Sequence, residues 1–136
     1  VQFPENSKPS ADGITVLGSQ SDVSCPVCDA HLVDALMEQQ RVLYCKRCHG
    51  VLVSHDDFLI IIRRRRARYH GPPDRPSPVD PEQLKRKTSC PRCRKRMETH
   101  PYYGPGNAVI DTCGQCKLIW FDRGEIAVLE RAPGSR

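Results

Sequence analysis

The chain has 136 residues, of which 12 are proline, 9 glycine and only 3 phenylalanine, 1 tryptophan and 4 tyrosine, with 38% hydrophobic content and a formal net charge of +5. Two halves of that size and composition cannot each bury enough apolar surface to fold alone, so metal must supply part of the folding free energy. The longest apolar run, Phe58 to Ile62, is far too short for a membrane span.

Residues 1–24 read as a polar N-terminal tail, with Ile14-Thr-Val-Leu17 as its one candidate strand. They carry neither the basic start nor the apolar run of a signal peptide, and a cytoplasmic location is expected. Val1 in place of Met suggests a fragment or a processed chain. The first unit spans 25–69. Its hairpin strands are expected at about 31–37 and 41–45, although Asp34-Ala-Leu-Met-Glu-Gln-Gln has fair helix propensity. An apolar strand Val51-Leu-Val53 then leads into a helix over about 55–69, opened by Ser54-x-x-Asp57 and ended near Pro72-Pro73. Residues 70–89 hold five prolines and read as an extended, semi-rigid basic linker. The second unit, 90–131, repeats the plan. Its strands are expected at about 96–102 and 108–113 around the turn Gly104-Pro-Gly-Asn107. The strand Leu118-Ile-Trp-Phe121 and a helix over 123–131 follow. Asp122-x-x-Glu125 reads as a capping box, in which Asp122 would contribute only ~1 kcal/mol. Residues 132–136 form a short tail.

The cysteines carry the chemistry. All eight fall in Cys-x-x-Cys pairs: Cys25/Cys28, Cys45/Cys48, Cys90/Cys93 and Cys113/Cys116. Sequential pairing closes loops of 16 and 19 residues, far shorter than a cross-braced arrangement across the Pro-rich stretch. Two sets of four thiols are what two tetrahedral zinc sites require; iron suits the same ligands. A disulfide scaffold lacks its secretory context, and four paired copies do not suit a single redox motif. A filled four-thiolate site has no open position for substrate, and no catalytic residue is expected. Shifted by 68 residues, Cys45–Phe58 overlies Cys113–Ile126; at a shift of 65, Cys25-Pro-Val-Cys28 overlies Cys90-Pro-Arg-Cys93. The chain is a duplication.

Cys-Pro-x-Cys, a hairpin, then Cys-x-x-Cys-x-x-Ile-Trp-Phe-Asp-x-Gly-Glu-Ile resembles the transcription-factor-IIB-type zinc ribbon family. The match is close over 90–130, including Trp120, Asp122, Gly124 and Glu125, and degenerate over 25–60, where Leu52, Ser54, Asp56 and Asp57 stand instead. The resemblance implies a small metal-stabilised α+β fold: two tandem, rubredoxin-like zinc ribbons, each a hairpin with two knuckles followed by a helix. It also implies a nucleic-acid or transcription role. Rubredoxin-type electron transfer is disfavoured, because Asp29, His49, Arg94 and Lys117 follow the knuckles where glycine is usual.

Charge is segregated. Residues 1–62 carry four Lys/Arg against eight Asp/Glu, residues 63–96 thirteen against three, and residues 97–136 four against five. The central belt comprises Arg63, Arg64, Arg65, Arg66, Arg68, Lys85, Arg86, Lys87, Arg92, Arg94, Lys95 and Arg96. Each zinc with four thiolates adds about −2, so the loaded chain is nearly neutral overall and its positive charge is concentrated in this belt. Such an array suits the phosphates of DNA or RNA. The competing reading is a protein-interaction module, with helix 55–69 packing against a partner or a second copy.

Overall fold

The computed structural model describes residues 13–73, 78–102, 108–122 and 124–133. In chain order its elements are β1 (Ile14–Ser24), β2 (His31–Met37), β3 (Gln40–Tyr44), β4 (Val51–Ser54), α1 (His55–Arg68), β5 (Glu98–Pro101), β6 (Val109–Cys113), β7 (Leu118–Phe121) and α2 (Glu125–Arg131), with a 3-10 turn at Gln83–Lys85. The expected turn at Gly104–Asn107 lies outside the described residues.

The two units are not separate beads. They share one antiparallel sheet of order β1-β2-β3-β4-β7-β6-β5, joined at its centre by β4 and β7. The reason lies in these strands' composition. Val51-Leu-Val and Leu118-Ile-Trp-Phe lack polar alternation, so both of their faces need cover. One face receives the helices: Val51, Val53, Ile119 and Phe121 join Phe58, Ile61, Ile62, Ile126 and Leu129 in a core that spans both units. The other face receives the cysteines: Leu52, Leu118 and Trp120 pack with Leu32, Met97 and both thiol groups.

The junction is two-fold symmetric in register. Val51 pairs with Phe121, Leu52 with Trp120 and Val53 with Ile119. Under the 68-residue repeat these are the same three positions, each strand meeting its own copy reversed. The side chains break the symmetry. Trp120, fully buried, lies against Gly50, whose repeat equivalent is Leu118. A Cβ at Gly50 would sit 2.2 Å from Trp120 Cζ2. Gly50→Ala is therefore expected to cost ~1–3 kcal/mol by overpacking, read as a lower urea midpoint of the zinc-loaded protein. An unchanged midpoint would show that Trp120 is not seated there.

Two boundaries differ from the sequence reading. The supposed tail supplies β1, an eleven-residue edge strand that pairs with β2 through two register shifts, one between Val16 and Gln20 and one between Gln20 and Ser24. Its outer positions are exposed, which is why its composition looks like tail. At the other side of the linker, Thr88 is buried, its carbonyl accepts from Met97 N–H at 2.8 Å, and Ser89 bridges Arg96. The last residues of the linker therefore belong to the second unit.

Candidate metal centres and nucleic-acid interface

Each knuckle is built the same way. In the first, Cys25 N–H donates to Ala30 O at 2.7 Å and Asp29 N–H to Cys25 O at 3.0 Å; Cys45 with Gly50 and His49, and Cys90 with Lys95 and Arg94, repeat the pattern. That closure requires a left-handed residue after each second cysteine. Asp29, His49, Arg94 and Lys117 take it, with φ of 63°, 66°, 64° and 55°. The non-glycine residues noted in the sequence thus adopt the conformation glycine usually supplies, at a local cost.

The four-thiol groups Cys25/Cys28/Cys45/Cys48 and Cys90/Cys93/Cys113/Cys116 each have all sulfurs within 4.8 Å of one another. Individual Sγ···Sγ separations are 3.4 Å for Cys25–Cys48, 3.5 Å for Cys28–Cys45 and 3.6 Å for Cys93–Cys113. A tetrahedron with Zn–S bonds of ≈ 2.3 Å has edges of about 3.8 Å, so both groups fit a zinc ion. Backbone N–H groups turn toward the sulfurs: Val27 to Cys25, Cys48 to Cys45 and Cys116 to Cys113, each at 3.4 Å. The Lys95 N–H draws the Cys93 thiol down to about 7. At Cys45 burial acts upward but is outweighed by the Cys48 N–H and neighbouring thiols, leaving it at about 7 as well. Each group thus offers a thiolate to a metal near neutral pH.

Residues 89–131 match the family described as Transcription factor zinc-finger. The second unit is a zinc ribbon of the transcription-factor-IIB type. With the first four-cysteine group, the chain fits two tandem zinc ribbons. No curated protein and no solved structure matches the chain. No helix among the described residues is long and apolar enough to cross a membrane.

The basic belt is divided by the fold. Arg65 and Arg66, each 5% exposed, point inward from α1. Arg65 pairs with Glu130 at 3.4 Å, while Arg66 donates to Leu129 O at 2.6 Å and Ala132 O at 3.1 Å. Arg66 thereby caps the other ribbon's helix, where a cation is favourable. These two are structural, not phosphate-facing. Arg86 is half-buried and turned toward acids: it pairs with Asp111 at 3.3 Å and with Asp122, and approaches Glu125 at 3.9 Å. Arg63, Arg64, Arg68, Lys85, Lys87, Arg92, Arg94, Lys95 and Arg96 are exposed. Of these, Arg68 pairs with Glu38, Lys85 with Glu82, and Arg64 donates to Glu38 O.

The capping boxes also differ. Ser54 Oγ accepts from Asp57 N–H at 3.2 Å, as read from sequence. In the second ribbon Gly124, left-handed with φ 87°, occupies the N-cap. The Glu125 carboxylate reaches back to Asp122 N–H at 2.8 Å, but the Asp122 side chain instead accepts from Trp120 Nε1 at 3.1 Å and pairs with Arg86. Sequence reasoning missed this Asp111–Asp122–Glu125–Arg86 cluster, in which Asp111 also accepts from Thr99 Oγ1. Its only sequence signals are an acid inside the apolar β6 and two acids just after β7, and nothing local connects these to Arg86.

Proposed function

We propose that this protein is a non-catalytic double zinc ribbon that binds nucleic acid through phosphate contacts of the second ribbon's first knuckle. The supporting observation is that Arg92, Arg94, Lys95 and Arg96 are all exposed on one rigid loop between Cys90 and Met97. Four cations on a metal-clamped turn lose little entropy on meeting phosphates, and each releases counterions. Arg63 and Arg64, exposed on α1, offer further cations apart from this loop. The protein-partner reading is weaker. Phe58, Ile61 and Ile62 are buried in the shared core, leaving Leu59 and Ile60 half-covered.

Fluorescence anisotropy of labelled duplex DNA and single-stranded RNA, titrated across a salt series, tests this. Binding should weaken steeply with salt. The variant R92A/R94A/K95A/R96A should flatten log K against log salt by about 3–4 on duplex, at about 0.9 per lost contact. If the zinc-loaded protein binds neither polymer at low salt, the proposal fails and a protein partner becomes the object of search.

A further inference from the structure

A groove of about 680 Å³ lies between the start of α1 and the second ribbon's second knuckle. His55, Asp56, His100, Thr112, Gly114 and Lys117 are among its walls, and its size is that of a small-ligand cleft. The duplication explains why it is open. Thr112 pairs with Ile119 as Tyr44 pairs with Val51 in the first ribbon, so a phenol ring stands there at the position Thr112 holds here. Tyr44 is buried in the shared core, and its hydroxyl lies 2.6 Å from Nδ1 of His49, the repeat equivalent of Lys117. One ribbon thus closes a tyrosine on a histidine, where the other sets a half-buried threonine and an exposed lysine around a groove.

We infer, resting on the nucleic-acid reading above, that this groove takes one unpaired base of a single strand whose phosphates lie along loop 92–96. Lys95 Nζ donates to Gln115 Oε1 at 2.9 Å, which ties that loop to the knuckle at the groove's edge. A strand crossing the loop therefore runs onto the rim of the groove. Lys117, exposed on that rim, meets a further phosphate. Asp56, on the α1 side, repels phosphate, so the base rather than the backbone enters. His100 Nδ1 faces Pro101 O at 2.8 Å, so in the neutral ring that nitrogen carries the proton. Nε2 then accepts from the Thr112 hydroxyl at 3.0 Å. The Thr112 oxygen can still accept, and the amino and ring N–H groups of an unpaired base donate. His55 and His100 supply rings on which a base stacks. A duplex keeps its bases paired, stacked and out of reach.

The test is fluorescence anisotropy of the zinc-loaded full chain with labelled strands of equal length: a deoxyribo-strand, a ribo-strand of the same sequence, an abasic phosphodiester strand, and duplex DNA. At one salt concentration a base-bearing strand should bind about tenfold tighter than the abasic one, the low end for a stacked base. A gain on either polymer supports the groove, and the strand that shows it identifies the sugar. Thr112→Tyr, which copies the first ribbon's residue, should lower that strand to the abasic level. The same variant should hold its zinc and bind the abasic strand and the duplex as the unaltered chain does. Equal affinity of the unaltered chain for base-bearing and abasic strands would overturn the groove's assignment, whatever the variant does. With duplex binding intact, that result would leave the phosphate contacts of loop 92–96 standing. A zinc-loaded variant that keeps the tenfold gain would overturn the assignment too, and failure to bind any probe would overturn both readings.

Discussion

Cys45→Ser is expected to unfold the second ribbon as well as the first, in one transition. Structural zinc is worth about 10–16 kcal/mol of apparent free energy in small ribbon-like folds, comparable to the whole stability of a typical domain. Losing one thiolate from the first centre therefore removes what holds β3 to β4 at the knuckle. The damage does not stop there. β4 covers β7 on that side, through four register pairs from Val51↔Phe121 to Ser54↔Leu118. Trp120 loses its seat on Gly50, the shared helix-face core loses Phe58 and Ile61, and the end of α2 loses the Arg66 cap. Far-UV circular dichroism and a two-dimensional amide NMR spectrum of the zinc-supplemented variant test this. Collapse of the dispersed signals across residues 86–133 is the expected result. A well-dispersed second-ribbon spectrum would mean that the ribbons fold independently and that the β4–β7 junction is only a docking contact.

The parts legible in the sequence were those fixed by local chemistry. Cysteine spacing specifies a ligand set whatever surrounds it, and Ser54 with Asp57 specifies a helix start within four residues. What escaped was long-range. The apolar runs at 51–53 and 118–121 did contain the missing information: a strand with no polar face belongs in the middle of a sheet covered on both sides. Taken together, two such strands in a duplicated chain call for pairing with each other. The arginines show the same limit. Arg63 to Arg66 follow the helical turn, but which of them face inward depends on α2 lying alongside α1, a contact between residues more than 60 positions apart. Arg86, in a segment that looked like linker, could not be separated from its basic neighbours by composition.

Arg86→Ala should destabilise the protein by about 2–3 kcal/mol, below the cost of deleting one partner of a fully buried ion pair because the Arg86 side chain is 26% exposed. A surface phosphate contact would lose almost nothing. Arg86 faces three carboxylates, with Asp111 1% exposed and the Glu125 side chain 15% exposed, and it also donates to Val109 O at 3.2 Å. Burial, and then the neighbouring Asp122 charge, push the Glu125 carboxyl up to about 8. Glu125 is thus mainly protonated at neutral pH, which leaves the guanidinium to balance the two aspartates. The sign of the pH dependence follows. A carboxyl raised in the folded state stabilises it fully below the ordinary value of 4.5, and that contribution is lost as pH rises through 8. Between pH 7 and 9 the zinc-loaded protein should lose about 1.4 kcal/mol from this group. Glu125→Gln keeps an acceptor for Asp122 N–H without the charge, so its stability should stay flat over that range. At pH 9, where Glu125 is ionised, the same substitution should restore part of what Arg86→Ala removes, since one fewer carboxylate is then left unbalanced. Urea melts of the four proteins at pH 7 and 9 decide it. Arg86→Ala within 1 kcal/mol of the unaltered chain, or Glu125→Gln less stable than it at pH 9, would show that the cluster does not hold the linker end to the second ribbon.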